Sequence, residues 1–333
     1  LASVDVDGRA STASTAATAT LQLQTGTTLS VDSMTVAYGT VQVNGQVEVV
    51  ADWLNVTSDG TFDGKGRSSY AAYTGPGAQS WSGAETPGCT WNPTASYRAG
   101  SHGGAGGGSN TEGLCIYGST FQPTTMGTSS AVGGGAALKI TAGGLRLDGT
   151  IDVGGNPGGT HQSGAAGGSA WVTADVLSGS GGAITANGGA TGTHNGAGGG
   201  GGGRLALYCA TSNYEGVGSA SHGWELPALT THGGTGESDA WDGSAGSVYV
   251  DCDSVTNALF VDGNNHDPSP LPTVLTDPGV TSWAFDTVRL IKTAKLAFAP
   301  ADTGDATAVV SIAAASGDAT SWLHLKTTTD RAA

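Results

Sequence analysis

Short runs in which apolar and polar residues alternate recur along most of the chain. An alternation of period two predicts β-strands with one buried face, and almost no segment has the 3.6-residue period of a helix. The strands are expected to be short, three to five residues each. The runs lie at residues 47–50, 53–56, 137–140, 145–147, 204–208, 247–250, 259–261, 288–291, 296–298 and 322–325.

A glycine-bounded pattern recurs around one large apolar residue: Gly, a small residue, the apolar residue, a polar residue and soon another Gly. Four copies centre on Val41, Phe62, Ile151 and Ile184. We expect these residues to point inward, with the glycines at corners of a coil. The first two copies are 21 residues apart and the last two 33, as for one bare coil and one coil with a loop. The 89 residues between Phe62 and Ile151 require several coils or a large excursion.

Stacked short strands with glycine corners predict an all-β fold, a right-handed parallel β-helix (solenoid) with glycine-rich loops over residues 1–333. Residues 67–130 hold a cluster of aromatic residues together with Cys89 and Cys115, and we interpret them as a projecting insertion stapled by a disulfide. Ordinary coils of divergent sequence are the alternative. Residues 265–333 are expected to form C-terminal coils, with continuation into further sequence left open.

Glycine-rich tracts, each opened by a histidine, form a second repeat at residues 101–108, 160–168, 193–203 and 231–234. They have no side chains to pack, so they suit stacked, extended polyglycine segments. The Gly-Lys-Ser/Thr of a phosphate-binding loop is missing. The four histidines are interpreted as caps over the tracts, and a histidine ladder that binds a transition metal is the alternative. These residues are His102, His161, His194 and His232.

Composition and charge limit the kinds of binding partner that the chain is expected to have. The chain has 58 Gly, only 12% charged residues and a formal net charge of −15. No Gly-X-Y period supports collagen, and the 38% of hydrophobic residues argues against disorder. An acidic protein repels nucleic acid, so neutral glycans, divalent ions and cationic partners fit better. No apolar run approaches the roughly 20 residues of a membrane span.

Four cysteines without CxxC spacing favour two disulfides over a zinc site. Sequential pairing, Cys89–Cys115 and Cys209–Cys252, is favoured among the three pairings, and free buried thiols are the alternative. Asn55-Val56-Thr57 is an N-glycosylation sequon. Disulfides and a sequon together predict a secreted, extracellular or cell-surface protein.

The succession LRLDGTIDVGGNPGG, GAAGGSAWVTADVLSGSGGAITANGG, GAGGGGGGRLALY and GSAGSVYVDC resembles the glycine-rich β-helix regions of large extracellular proteins of bacteria, protists and algae. Among these are the sexually induced, flagellar-hair (mastigoneme) type proteins of stramenopile algae. The resemblance covers roughly residues 40–265. It implies a structural or surface role and provides no catalytic residues to transfer. A looser likeness links the chain to glycine-rich phage tail adhesins.

Parallel β-helices often cleave acidic polysaccharides, so a lyase is the enzymatic alternative. Arg146 and Asp148 are expected to share a strand face, and Asp63 and Asp152 to lie at equivalent coil positions. A surface ion pair is the simpler interpretation of Arg146 and Asp148. No nucleophile elbow supports a Ser-His-Asp triad.

Two further groups are candidate binding residues. Four aspartates are candidate ligands of a calcium ion, and the alternative is that they simply end strands. They are Asp251, Asp253, Asp262 and Asp267. Three aromatic residues of the insertion could stack on sugar rings or on a neighbouring subunit, or form a satellite core of their own, namely Trp81, Trp91 and Tyr97.

These observations predict a non-catalytic structural subunit of an extracellular filament, appendage or surface coat that assembles through β-helix stacking. Its expected partners are further copies or other extracellular structural proteins and glycans, with no nucleic acid, and no cofactor is expected other than the candidate calcium. A polysaccharide-binding or polysaccharide-cleaving β-helix protein, or an adhesin, is the alternative.

Overall fold

The computed structural model describes residues 3–8, 19–76, 99–108, 116–192, 196–215, 225–238, 241–253, 255–266, 272–275, 277, 280, 282–298 and 309–325. This part of the chain is all-β and contains 19 strands. No helix within it is long and apolar enough to cross a membrane.

The strands in chain order are β1 Ser3–Asp7, β2 Ala19–Leu23, β3 Thr27–Ala37, β4 Gly39–Val43, β5 Gln46–Val56, β6 Thr61–Asp63, β7 Ala137–Leu147, β8 Thr150–Asp152, β9 Ser169–Gly179, β10 Ala183–Thr185, β11 Arg204–Tyr214, β12 Ala228–Thr230, β13 Ser247–Cys252, β14 Val255–Asp262, β15 Thr273–Leu275, β16 Ser282–Ile291, β17 Lys295–Phe298, β18 Val309–Gly317 and β19 Trp322–Leu325.

These strands form three sheets. One has ten strands in the order β1-β3-β5-β7-β9-β11-β13-β14-β16-β18, one has six in the order β12-β10-β8-β6-β4-β2, and one has three in the order β15-β17-β19. Alternate strands along the chain therefore join different sheets, and all neighbours pair in parallel except β13 and β14. This topology is typical of a parallel β-helix and confirms the predicted fold class.

The predicted repeat forms one continuous inward-facing ladder. Val41 pairs with Phe62, and Phe62 pairs with Ile151 in the six-stranded sheet. Ile184 follows Ile151 in the same register. All four side chains are buried, so the glycine-bounded pattern marks equivalent positions of successive coils, as predicted.

Several strands are longer than predicted, because one strand forms two sides of the coil. β3, β5, β7, β9 and β11 each have 11 residues. In β5 the neighbouring residues Asp52 and Trp53 both face solvent, which breaks the alternation. The pairing with β7 skips Asp52 at the same point and continues in the same register from Trp53. The strand bends there, so the runs at 47–50 and 53–56 are two faces of one strand, and the short strands of the six-stranded sheet form the third side.

Extended tracts rich in glycine connect the short strands to the long ones. Between a short strand and the next long strand, the chain leaves the coil as one tract and returns as a second. Further tracts from other parts of the chain pack beside these pairs. We call this assembly the glycine layer. It consists of residues 99–108, 126–135, 153–158, 163–168, 186–191, 196–203, 231–235 and 241–246.

Hydrogen bonds of the tract 196–203 follow a period of three. The N–H groups of Gly199 and Gly202 donate to one neighbouring tract. Those of Gly200 and Gly203 donate to a second tract, and that of Gly201 to a third. The accepting carbonyls are those of Trp241, Ser244, Gly189, Ala186 and Gly100, at 2.7–3.0 Å. Three residues per turn is the geometry of a polyproline II helix, so the predicted stacking of extended polyglycine segments is present. Each segment forms hydrogen bonds to neighbours in several directions.

The segment between β6 and β7 adds no strand to the stack, because β5 pairs directly with β7 and β6 with β8. Of the predicted insertion, residues 67–130, the structure describes 67–76, 99–108 and 116–130. Residues 99–108 are buried in the glycine layer. Residues 77–98 and 109–115 lie outside the described residues, so the outline of the insertion stays a prediction.

The chain reverses direction after β13, which the sequence pattern did not predict. β13 and β14 form an antiparallel pair, and β14, β16 and β18 then pair in parallel with one another. A second core lies around Trp283, Phe285 and Phe298 in this C-terminal part, and it extends to Ala206 of β11 and Tyr249 of β13. The predicted disulfide Cys209–Cys252 is present and joins β11 to β13 just before the reversal.

Candidate functional site

The last strand of the ten-stranded sheet presents a long edge. β18 pairs with β16 on one side and with no other strand of the described chain on the other. Its sequence, VVSIAAASG, contains neither a charged residue nor a proline. Beside it, in β19, Trp322 is 67% exposed. We call β18 together with Trp322 and Leu323 the open edge.

The side chains of β18 continue the alternation of β16. Val310 and Ile312 pack against the C-terminal core. Ser311 is exposed and lies in register with exposed Ala284. At the other end of the sheet, the shorter β1 carries Asp5 and Asp7. Natural edge strands are usually protected by charges, prolines or bulges, and β18 has neither of the first two.

The sequon asparagine lies in a polar groove on the bent face of the coil. Asn55 is half-buried between Thr35 and Arg146, its register partners in β3 and β7. Its Oδ1 is buried without a hydrogen-bond partner. A groove of about 380 Å³ opens beside it, which we call the Asn55 groove. It is lined by Asn55, Thr57, Ser58, Arg146, Asp148 and Ser180.

The two charged residues of the groove form a surface ion pair. Arg146 Nε lies 2.7 Å from Asp148 Oδ2, with the Arg146 side chain 56% exposed. The N–H of Ser180 donates to Asp148 Oδ1 at 2.6 Å. The ion-pair interpretation of these residues therefore agrees with their geometry.

The equivalent coil positions of Asp63 and Asp152 are also confirmed, since the two residues are register partners. Each carboxylate is engaged by the protein. Asp63 accepts two hydrogen bonds from Arg67. Asp152 accepts from the N–H of Gly154 and the hydroxyl of Thr185. These carboxylates therefore bind neighbouring loops and strands.

Three of the four candidate calcium ligands are described, and each is bonded to the protein. Asp251 accepts from the Asn257 N–H at 3.2 Å and Asp253 from the Ser212 N–H at 3.3 Å. Lys292 Nζ lies 2.9 Å from Asp262 Oδ2. Asp267 lies outside the described residues. No group of three or more His, Cys, Asp or Glu side chains in the described chain is placed to hold a metal ion.

Asp262 belongs to a charged cluster where the first coils meet the C-terminal part. His232 Nε2 lies 3.5 Å from its Oδ2, and nearby His266 Nδ1 lies 2.8 Å from Asp242 Oδ2. Burial raises the pKa of Asp262, but its contacts with His232 and Lys292 more than compensate and lower it to about 2. The carboxylate is therefore held ionised by its neighbours.

A buried arginine connects three parts of the chain. Arg204, at the start of β11, is fully buried. Its guanidinium donates to the Tyr117 carbonyl at 2.9 Å and to the Thr120 and Ser247 hydroxyls at 3.0 Å. Nearby Asp277 accepts from the Thr120 N–H at 2.6 Å. This network fixes the chain around 117–120 onto the coils.

His102 caps the glycine layer from within. It is fully buried, with Nδ1 2.7 Å from the Gly167 carbonyl and Nε2 2.8 Å from the Thr125 hydroxyl. His161, in contrast, is exposed in a left-handed turn (φ 63°). The described histidines therefore do not form a ladder. His194, Cys89, Cys115, Trp81, Trp91 and Tyr97 lie outside the described residues, and the predictions on them stay predictions.

Two of these features, Arg204 and the open edge, were not predicted from the sequence. Arg204 directly follows six glycines, and only its position between a tract and a strand sets it apart. The open edge is poor in charge and rich in small residues, as is the rest of the chain. Composition therefore does not distinguish it from other strands. Comparison with protein-family models, curated protein sequences and solved structures finds no significant match.

Proposed function

We propose that this chain is a non-catalytic structural subunit of an extracellular filament, appendage or surface coat, and that its β-helices stack end to end through the open edge. The observation that carries the proposal is β18, a nine-residue edge strand without charge or proline. The sequence resemblance to glycine-rich β-helix regions of extracellular proteins supports the same role.

An edge strand offers a row of backbone N–H and C=O groups that a further strand can pair with. The occupant we propose is the end of a second copy, because its coils repeat the same strand spacing and the same inward-facing apolar positions. Trp322 and Leu323, both exposed beside β18, would become buried in such a stack. Burial of apolar surface and backbone pairing would then act together.

The disulfide supports an oxidising compartment, as expected of an extracellular protein. The glycine layer supports a mechanical role. Its tracts are hydrogen-bonded across several neighbours, so bending the coil requires breaking bonds in more than one direction.

A charge placed on the open edge tests the proposal. Leu323→Lys places a lysine at an inward-facing position of the open edge, because its register partner Leu296 is fully buried. A stacked copy would have to bury this charge or lose its pairing. We expect the variant to need a roughly tenfold higher concentration for assembly, equivalent to about 1.4 kcal/mol per contact. Light scattering over a concentration series measures this, with electron microscopy to show filaments for the unaltered protein.

Ala284→Lys is the control, since it adds the same charge at an outward-facing position that stays exposed although β16 is paired on both sides. It should assemble like the unaltered protein. The proposal is overturned if the unaltered protein stays monomeric throughout the series, or if both lysine variants assemble equally. Dispersed monomers that retain or cleave a polysaccharide would favour the alternative function.

A further inference from the structure

Three residues of β5 and the turn after it place an aromatic ring, an amide and a hydroxyl at alternate positions. Trp53, Asn55 and Thr57 are two residues apart, and Trp53 and Asn55 both lie on the outward face of the strand. Thr57 supplies the hydroxyl of the sequon. Trp53 is 45% exposed, which is unusual for so large an apolar side chain.

The Trp53 ring lies over a glycine of the neighbouring strand. A Cβ atom built at Gly144 would come 2.1 Å from Cε3 and Cζ3 of Trp53, so only glycine leaves room for the ring there. The ring is therefore held against the backbone of β7. Its exposed part remains as a fixed apolar surface next to Asn55.

The Asn55 groove lies on the other side of the asparagine. It is a shallow groove of about 380 Å³ that is open to solvent, as a site for a covalently attached sugar must be. The exposed Arg146 guanidinium provides donors for the carbonyl and hydroxyl oxygens of an acetylated amino sugar. The Ser58 and Ser180 hydroxyls donate to Asp59 and Asp148 and keep lone pairs that can accept from sugar hydroxyls. The fold uses Asn55 Oδ1 in no hydrogen bond within the described chain.

We infer that Asn55 carries an N-linked glycan whose first N-acetylglucosamine lies in the Asn55 groove, with Trp53 as the apolar surface beside it. The donor is a polyprenyl-diphosphate oligosaccharide of the secretory route. Asn55 Nδ2 loses a proton and bonds to C1 of the first sugar, while the C1–O bond breaks and the polyprenyl diphosphate leaves.

This inference does not depend on assembly. β5 is the third strand of the ten-stranded sheet and β18 the tenth, so a glycan at Asn55 leaves the open edge accessible.

Occupancy is tested on the chain secreted from a eukaryotic host. Peptide mass spectrometry should find a glycan on Asn55, which Asn55→Gln and Thr57→Ala abolish. Thr57→Ser is the matched control, because it keeps both the sequon and the hydroxyl that contacts the Val36 carbonyl. An unmodified Asn55 in secreted, disulfide-bonded protein would overturn the inference.

The position of the first sugar is tested by enzymatic trimming of one folded sample. An endoglycosidase that leaves a single N-acetylglucosamine should keep the melting temperature and the slow amide exchange of residues 56–58. An amidase that removes the whole glycan should lower the melting temperature by about 2 °C and speed that exchange. This enzyme also converts Asn55 to Asp, so the difference between Asn55→Asp and Asn55→Gln, neither of which carries a glycan, measures the contribution of the charge.

The same pair of treatments on Arg146→Ala protein completes the test. If the sugar lies in the groove, the difference between the two treatments shrinks when Arg146 is missing. Equal melting temperatures and exchange after both treatments of the unaltered protein would overturn the placement of the sugar. An undiminished difference in Arg146→Ala would overturn the role of the groove.

Discussion

At the scale of single residues, His102 shows how a polar side chain is accommodated among glycines. A carbonyl oxygen can only accept, so Nδ1 must donate to Gly167. Burial, followed by the nearby charge of Arg204, lowers the pKa of His102 to about 3. The ring is therefore neutral, and Nε2 accepts from the Thr125 hydroxyl. Protonation would put a charge in this buried site and would require the Thr125 hydroxyl to change from donor to acceptor.

This burial predicts an acid-sensitive fold. Because folding lowers the pKa of His102, the unfolded chain takes up a proton below about pH 6.5 and the folded chain only near pH 3. The contribution of the neutral ring to the free energy of unfolding is fully present above pH 6.5 and is lost as the pH falls towards 3. We expect His102→Gln to flatten the melting temperature against pH in this window. Exposed His161→Asn is the control, and an unchanged slope in His102→Gln would refute the prediction.

The buried residues divide by whether the sequence could foretell them. Val41 and Ile151 are large apolar residues in a repeated frame, so their inward positions follow from the pattern. Arg204 follows no such pattern. The partners that allow Arg204 to be buried, Tyr117 and Thr120, are more than 80 residues away in sequence, and no local spacing reveals them.

At the scale of elements, the glycine tracts exist because backbones approach one another closely. A Cβ atom at Gly201 would lie 2.1 Å from the carbonyl oxygen of Gly104, which is fixed by its own hydrogen bond to the tract. Alanine occurs in the tracts only where a methyl group fits, as at Ala165 and Ala197, which are fully buried. The tracts are therefore close-packed interiors and not linkers.

Gly201→Ala should accordingly destabilise the protein by about 1–3 kcal/mol, the usual cost of overfilling a rigid interior. The urea midpoint measures the effect. Gly159→Ala is the matched control, since a Cβ there meets only the flexible end of Gln162 at 3.0 Å. Equal midpoints for the two variants would show that the glycine layer is loosely packed.

The sequence predicts elements well where a repeat exists and poorly where it ends. The coils around Phe62 and Ile184 were foreseen from glycine corners. The bend at Asp52 was not, because two short alternating runs look the same whether they form one strand or two. The reversal between β13 and β14 was also missed, since strand direction leaves no mark on the alternation of apolar and polar residues.

At the scale of the whole molecule, this reversal divides the solenoid into two cores. The coils up to β13 share one apolar core, which Phe260 of β14 also enters, and the second core packs the C-terminal part against Ala206 of β11 and Tyr249 of β13. In a solenoid each coil is stabilised mainly by its neighbours, so the two parts are expected to unfold separately unless something joins them. The ten-stranded sheet crosses the junction, and the disulfide fixes the strand at which it crosses.

Removing that disulfide should therefore loosen one side more than the other. Cys209 and Cys252 are 43 residues apart, a loop whose closure is worth about 4 kcal/mol in the chain-entropy model. In Cys209→Ala/Cys252→Ala we expect faster amide exchange in β14 and β16, which depend on the β13 hairpin, and unchanged exchange in β5 and β7. Hydrogen-exchange mass spectrometry of each strand measures this.

Adding reductant to the same variant separates this bond from any bridge between Cys89 and Cys115. A further change on reduction would come from that second pair alone, whereas the β14 and β16 effect should already be complete without reductant. Equal acceleration in all strands of the variant would mean that the two cores unfold as one unit. The junction would then be as stable as the coils on either side, and the disulfide would act on the whole solenoid.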